Sequence, residues 1–485
     1  MEMGSGNNEK AGILTRGWRW MKDLPKNSFA KGVEIARQTK KIGQDDPRRV
    51  IHSLKLGLAL TLVSLFYYFQ PLYKNFGVSA MWAVMTVVVV FEFSVGATIG
   101  KGLNRGLATF IAGALGVGAH YLASMTGKVG EPIFIGLFVF LQAAVTTFIR
   151  FFPKVKARYD YGLVIFILTF SLVSISGFRT DEILDLAHKR LSTILVGAST
   201  CVIVSIFVCP VWAGEDLHNL VADHLEKLGN FLEGFGEEYF AGSVETEFKD
   251  NKSFLVGYKS VLNSKTTEEN QANLARWEPG HGKFMYLHPW EQYLKIGALT
   301  RKCACRIEAL NSYLNSEIKA PEEVFQRVQE ICTIMSKESG QALKELSLAI
   351  RTMTKPSSPN RHIVNSTTAA QNLESLLKSG SWEDINLRRL ISVAAVASLL
   401  IDIVISVEDI AESVTELATL AKFQSPELNV PESKIPSNAG ISTKQLQVQD
   451  CPRVIISINL TPATDEVHQS QFQDSNQEAK QNVQV

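Results

Sequence analysis

The 485-residue chain has little cysteine and no excess of charge of either sign: six Cys, and 49 Lys+Arg against 48 Asp+Glu for a formal net charge of +1. That balance offers no basic footprint for nucleic acid. The cysteines are Cys201, Cys209, Cys303, Cys305, Cys332 and Cys451, and the only close pair has C-x-C spacing, which fits neither a zinc site nor a dithiol redox motif. They read as reduced, structural residues. Walker sequences, metal-ligand clusters and solenoid-period repeats are all missing, as is any set of nucleophile, base and orienting group. No enzyme activity, metal, cofactor or nucleic-acid partner is therefore expected. The initiator Met is not followed by an apolar core, so a cleavable signal peptide is not expected either.

What the chain does have is segregation. Its mean hydropathy of +0.06 would suit a soluble protein, but the apolar residues crowd in front of residue 213. Six apolar stretches lie near 52–70, 77–95, 102–124, 131–150, 159–178 and 190–211. Each is long enough, at 1.5 Å per residue, to cross roughly 30 Å of hydrocarbon. Short loops and frequent Gly fit a polytopic helical bundle. The expected fold is thus an all-α membrane protein with six transmembrane helices over 51–212, preceded by a basic cytosolic segment over 1–50.

Orientation follows from the basic residues. Lys31, Arg37, Lys40, Lys41, Arg48 and Arg49 precede the first stretch, and Arg150, Lys154, Lys156 and Arg158 follow the fourth. The opposite loops hold isolated Lys74 and Lys128, so both termini are expected in the cytosol. Arg179, Lys189 and Arg190, before the sixth stretch, break this rule and need another reason to be there.

After Cys209-Pro210-Val211-Trp212 the pattern becomes charged and amphipathic, predicting a cytosolic helical domain over 213–425. Leu390 to Val407 is apolar enough to mimic a seventh span, but Asp402 interrupts it and charges bracket it, so a buried core helix is expected. Beyond Pro426 the chain is rich in Gln, Ser, Asn and Pro, and 426–485 reads as a disordered tail.

Charge inside the apolar half carries the chemistry. Lys101 and Arg105 lie four residues apart and share one helical face. Gly102, Gly106, Ala108, Ala112 and Gly116 form a strip of small residues that lets a neighbouring backbone approach, which makes this helix interior to the bundle. Arg190 opens the sixth stretch, with Thr193, Gly197 and Cys201 along a small, weakly polar face. Such cations either snorkel to headgroups or line an anion path. At mid-span each costs on the order of 2.5–3.5 kcal/mol on the insertion scale, which water, a partner or a permeating anion offsets. Two arginines form no ring, but a two-fold dimer would present each twice. Glu92, in Phe91-Glu92-Phe93 of the second stretch, is placed to pair with one of these cations.

Several motifs resemble one family closely. They are Asp46-Pro47-Arg48-Arg49-Val50-Ile51-His52, Met81-Trp82-Ala83-Val84-Met85-Thr86, Phe91-Glu92-Phe93 leading into Gly100 to Arg105, and Arg150-Phe151-Phe152-Pro153. Tyr159-Asp160-Tyr161-Gly162, Ser176-Gly177-Phe178-Arg179, Pro210-Val211-Trp212-Ala213-Gly214-Glu215 and Trp277-Glu278-Pro279 continue the likeness. Over roughly 45–425 the chain resembles the plant aluminium-activated malate transporters, which are anion channels. The resemblance implies six spans, a homodimer, a cytosolic helical domain, and permeation of malate, chloride, nitrate and sulfate. It also implies that Arg105 and Arg190 stand at pore-lining positions, with Lys101 beside them. Trp82, Glu92, Trp277, Glu278 and Pro279 are the candidates for gating or structural roles. Aluminium activation is not implied, since only some members show it.

The expected function is a dimeric anion channel in a plant membrane, the plasma membrane first and the vacuolar or another endomembrane as the alternative. A coupled organic-acid exporter is the competing reading, and membrane lipid is the surrounding partner. A third reading makes 213–425 a binding platform tethered by an inert bundle.

Overall fold

The computed structural model describes residues 33–34, 37–69, 81–177, 183–240, 256–314, 322–357, 360–378 and 387–425. The tail over 426–485, Lys74 and Arg179 lie outside the described residues. From Pro47 onward thirteen helices follow one another within the described residues, and no strand is found among the described residues.

The first six helices are α1 (Pro47–Tyr68), α2 (Met81–Val90), α3 (Val95–Ser124), α4 (Gly127–Ile149), α5 (Pro153–Gly177) and α6 (Ile183–Phe207). Among the described residues four helices are long and apolar enough to cross a membrane: α3, α4, and the segments Pro153–Ser176 of α5 and Ala187–Phe207 of α6. The chain is an all-α, multi-pass membrane protein. α1 has the length, about 33 Å at 1.5 Å per residue, but its first half carries Arg48, Arg49, His52 and Lys55. The described part of α2 spans ten residues.

Two boundaries differ from the sequence reading. The second apolar stretch was expected to run to 95, yet the helix stops at Val90, and α3 starts at Val95 rather than near 102. The reason lies in the four-residue connector. Ser94 caps α3 by accepting from the Ala97 N–H at 3.3 Å, while the Thr98 hydroxyl donates to the Glu92 carbonyl and accepts from the Glu92 N–H. A capping residue and a hydroxyl that satisfy these backbone groups close a turn where hydropathy alone shows a continuous run. Glu92 consequently sits between two helices and not inside a span.

α3 is interior, as its small residues require. Gly100, Gly102, Arg105, Gly106, Ala108, Ala112 and Gly116 are buried, and α3 packs on α4, α5 and α6. Lys55, 3% exposed, ties α1 to the end of α6 by donating to the carbonyls of Cys209 at 3.2 Å and Ser205 at 3.5 Å. An ammonium at the carbonyl end of a helix is favourably placed.

The second half is built from α7 (Ala213–Phe240), the single turn α8 (Lys259–Leu262), α9 (Lys265–Ala275), α10 (Trp290–Leu314), α11 (Glu322–Thr352), α12 (Arg361–Lys378) and α13 (Leu387–Leu420). Leu217, Val221, Leu225, Leu228, Leu232 and Phe235 line the buried stripe of α7 at three- and four-residue steps. The segment that mimicked a seventh span belongs to α13: Val396, Leu400, Ile403, Val404 and Val407 are buried in the core of this helical domain. None of the five described cysteines forms a disulfide.

Candidate functional site

The first group of charges gathers where α3 leaves its cap. Lys101 pairs with Glu92 of the connector, and its ammonium lies 5.6 Å from the ring centroid of Tyr161 on α5. One turn on, Arg105 is 4% exposed and donates from Nη1 to the Tyr161 hydroxyl at 3.0 Å. Its Nε has no hydrogen-bond partner. Tyr161 thus touches both cations, presenting a ring face to one and a hydroxyl to the other. Glu92, expected to answer one of these cations, answers Lys101.

The second group lies between α2 and α6. Arg190 is 3% exposed and its guanidinium stands 4.1 Å from the ring centroid of Trp82. Nε and Nη1 have no hydrogen-bond partner, and Arg105 is the charge that acts on it. The two helices come this close because Gly197 has no side chain; a Cβ there would stand 2.7 Å from the Ala83 carbonyl oxygen. Among the described residues neither Arg105 nor Arg190 has a carboxylate within ion-pair distance. Two desolvated guanidiniums without counter-ions form a local positive potential inside a low-dielectric wall, and an anion is what such a place attracts.

The third group joins the bundle to the helical domain. The Glu278 carboxylate accepts from the N–H groups of Ala213 at 2.6 Å and Gly214 at 3.0 Å, capping α7, and its side chain packs on Gly96 at the start of α3, where a Cβ would lie 3.0 Å from the Glu278 Cγ. Burial pushes this carboxyl up to about 7, against the pull of those N–H groups. Trp277 lies against α3: a Cβ at Gly100 would be 3.0 Å from its ring, and one at Gly96 would overlap the Leu274 carbonyl. Pro279 offers its carbonyl to the His281 Nδ1–H at 2.9 Å, and His281 stacks on Trp212 with centroids 3.7 Å apart. The Trp277-Glu278-Pro279 motif is therefore the joint between the two halves.

Behind the joint is a neutral buried trio. The Tyr293 hydroxyl contacts His218 Nδ1 at 2.9 Å and His288 Nε2 at 3.2 Å. Burial pushes both imidazoles down to about 4 and raises the phenol.

Sequence reasoning passed over Tyr161 and Lys55. Lys55 was counted with its apolar stretch, though a Lys inside such a run is itself a signal. Tyr161 carries no signal until α5 is laid against α3.

A model of the aluminium activated malate transporter family matches residues 40–388, well over half of the chain. The chain belongs to that family. Aluminum-activated malate transporter 2 of Arabidopsis thaliana is 53% identical over 441 residues, covering 90% of this chain and 88% of the relative. Aluminum-activated malate transporter 1 of Triticum aestivum is 47% identical over 407 residues, covering 82% and 88%. Aluminum-activated malate transporter 10 of Arabidopsis thaliana is 42% identical over 454 residues, covering 86% and 91%. The match to the transporter family runs from just before α1 to the start of α13 and so takes in Lys101, Arg105, Arg190 and the Glu278 joint.

Proposed function

We propose that this protein is an anion channel that conducts malate, chloride, nitrate and sulfate across a plant membrane as a homodimer. The observation that carries the reading is that Arg105 and Arg190, on the packed helices α3 and α6, are both buried and neither has a carboxylate partner among the described residues. A guanidinium stays protonated when desolvated, so the pair remains a fixed charge. In a two-fold dimer with its path on or near the axis, each would appear twice, giving four arginines along it. Lys101 stands one turn from Arg105, with Glu92 holding it, as the outer cation. The names of the relatives support malate as a substrate.

With both termini in the cytosol, the helical domain over 213–425 is the regulatory part. Glu278 and Trp277 transmit its position to the start of α3, the helix that bears Lys101 and Arg105. The plasma membrane is the proposed site, with the vacuolar membrane as the alternative.

Whole-cell recording with malate or chloride as the only permeant anion tests the reading. A channel's current reverses near the Nernst potential of that anion at every external pH. A reversal that moves with the proton gradient or another ion gradient replaces the channel by a coupled exporter.

A further inference from the structure

Apart from the anion path, a cavity of about 280 Å³ opens between the first turns of α5 and the segment joining α9 to α10. Arg158, Arg276, Met285 and Leu287 are among its lining residues, with two carboxylates, Glu278 held by the N–H groups of Ala213 and Gly214 and Glu291 paired with Arg276. Arg158 stands in the second turn of a membrane-crossing helix. Its guanidinium lies over Trp277 at 4.9 Å and Tyr159 at 5.7 Å, and among the described residues it has no carboxylate partner. A guanidinium stacked on rings still directs its N–H donors outward in its plane, and these match a phosphate or carboxylate. Arg276 is already shared with Glu291 and Asn273, so Arg158 is the cation available to a ligand.

The lip of the cavity is unusual for a surface facing water. Met285, Tyr286 and Leu287 are 37%, 72% and 79% exposed in succession, whereas the domain's other exposed apolar side chains, such as Leu348 and Leu420, stand singly along the chain. The segment is held in place, with His281 and Phe284 exchanging backbone hydrogen bonds at 3.0 and 2.9 Å and the His288 N–H bonded to the Met285 carbonyl at 3.2 Å. Leu287 has φ of 59°, a left-handed conformation that costs a branched side chain energy and here keeps it turned outward. Because Arg158 and Leu287 line one cavity, this apolar knuckle stands at the end of the bundle where α5 begins. Phe151 and Phe152, 77% and 52% exposed, precede α5 at that same end.

We propose that the cavity binds the phosphate headgroup of an anionic phospholipid from the leaflet facing the helical domain, with Tyr286 and Leu287 seated at the boundary between headgroups and acyl chains. The proposal rests on the chain being membrane-embedded and not on the anion-channel reading. A soluble anion would be served by Arg158 alone and gives no reason for three exposed apolar side chains beside it. A phospholipid accounts for both: its phosphate meets the guanidinium and its upper acyl carbons cover Met285 and Leu287. Tyrosine favours this depth, with ring in apolar surroundings and hydroxyl in water. In the orientation proposed above the leaflet is the cytoplasmic one, which carries the anionic lipids.

The full-length protein in nanodiscs of phosphatidylcholine, with or without phosphatidylserine, tests this. A bimane placed at Tyr286→Cys in a background carrying Cys209→Ser, Cys305→Ser and Cys451→Ser should emit at shorter wavelength and be quenched by lipids brominated near the headgroup; a water-like, unquenched emission overturns the seating of the knuckle. Native mass spectrometry should find phosphatidylserine retained, and Arg158→Gln should weaken that retention about fivefold, the value of one basic residue at an anionic surface. Arg158→Lys should keep most of it. Equal loss in both variants makes Arg158 a packing residue and overturns the site. Displacement of the lipid by millimolar inorganic phosphate would assign the cavity to a free anion and overturn the lipid source. Tyr286→Asp should release lipid without changing subunit number; a change in native mass instead makes the knuckle a subunit contact and overturns the proposal.

Discussion

The Arg190 guanidinium rests 4.1 Å from the ring centroid of Trp82, an arrangement that holds a charge from α6 against the face of a side chain on α2. The ring quadrupole supports the cation without neutralising it, so the charge remains available to an anion. A carboxylate in the same place would cancel the field. Trp82→Phe should keep most of the malate current, and Trp82→Ala should reduce it by up to about thirtyfold, the factor that ~2 kcal/mol for a desolvated cation–π contact corresponds to. Equal currents in wild type and Trp82→Ala, at equal surface expression, would remove Trp82 from the path.

Replacement of Arg105 or Arg190 by Ala should lower anion conductance at least tenfold, since that factor needs only about 1.4 kcal/mol and two unit charges at 4 Å still interact by about 4 kcal/mol at an effective dielectric constant of 20. The Glu variants should be lower still. Lys should retain part of the chloride current and less of the malate current, because an ammonium cannot form the bidentate contact that suits a carboxylate. Single-channel recording of surface-expressed variants decides it, and wild-type malate currents in both Ala variants would make the arginines interfacial anchors.

Glu278 should make stability depend on pH. Its folded pKa of about 7 lies above the ordinary 4.5, so between those values the folded chain keeps a proton that the unfolded chain releases. Stability falls as pH rises through this window and the loss is complete above about 7. Asp216 nearby adds to the upward shift. Thermal unfolding of the detergent-solubilised protein should show this slope, and Glu278→Gln should flatten it; an unchanged slope in the variant locates the titration elsewhere.

The imidazoles of His218 and His288 act with the opposite sign. Their folded pKa values of about 4 lie below the ordinary 6.5, so the unfolded chain takes up protons that the folded one refuses. Their contribution is whole above 6.5 and is lost as pH falls toward about 4. Replacing both by Gln should weaken the acid sensitivity of the unfolding midpoint in that range, as circular dichroism melts would report.

Truncation after residue 430 should leave currents near wild type, while truncation after 215 should abolish them. The shorter chain lacks Glu278 and so leaves the N–H groups of Ala213 and Gly214 without their carboxylate. Normal currents from the 1–215 chain would withdraw any regulatory role from the helical domain.

The helices were legible because hydropathy and periodicity are local. α13 read correctly despite its apolar run, since Asp402 and the flanking charges mark a core helix that meets water at its edges. The break at Phe91–Ser94 was not legible, because it depends on one hydroxyl, that of Thr98, satisfying two backbone groups of Glu92. Arg105 and Arg190 stood out as charges in apolar sequence. Their nearness to each other did not, being set by α3 crossing α6, and Tyr161 became visible only through its hydrogen bond across 56 residues of chain.

Glu278 caps the start of α7 and packs against the start of α3, both of which the ribosome delivers well before it. At ~5–20 residues per second, roughly ten to thirty-five seconds of synthesis separate Gly96 from Glu278. Throughout that interval the start of α3, bearing Lys101 and Arg105, lacks its distant packing partner. Until residue 278 emerges, the joint between the two halves does not exist.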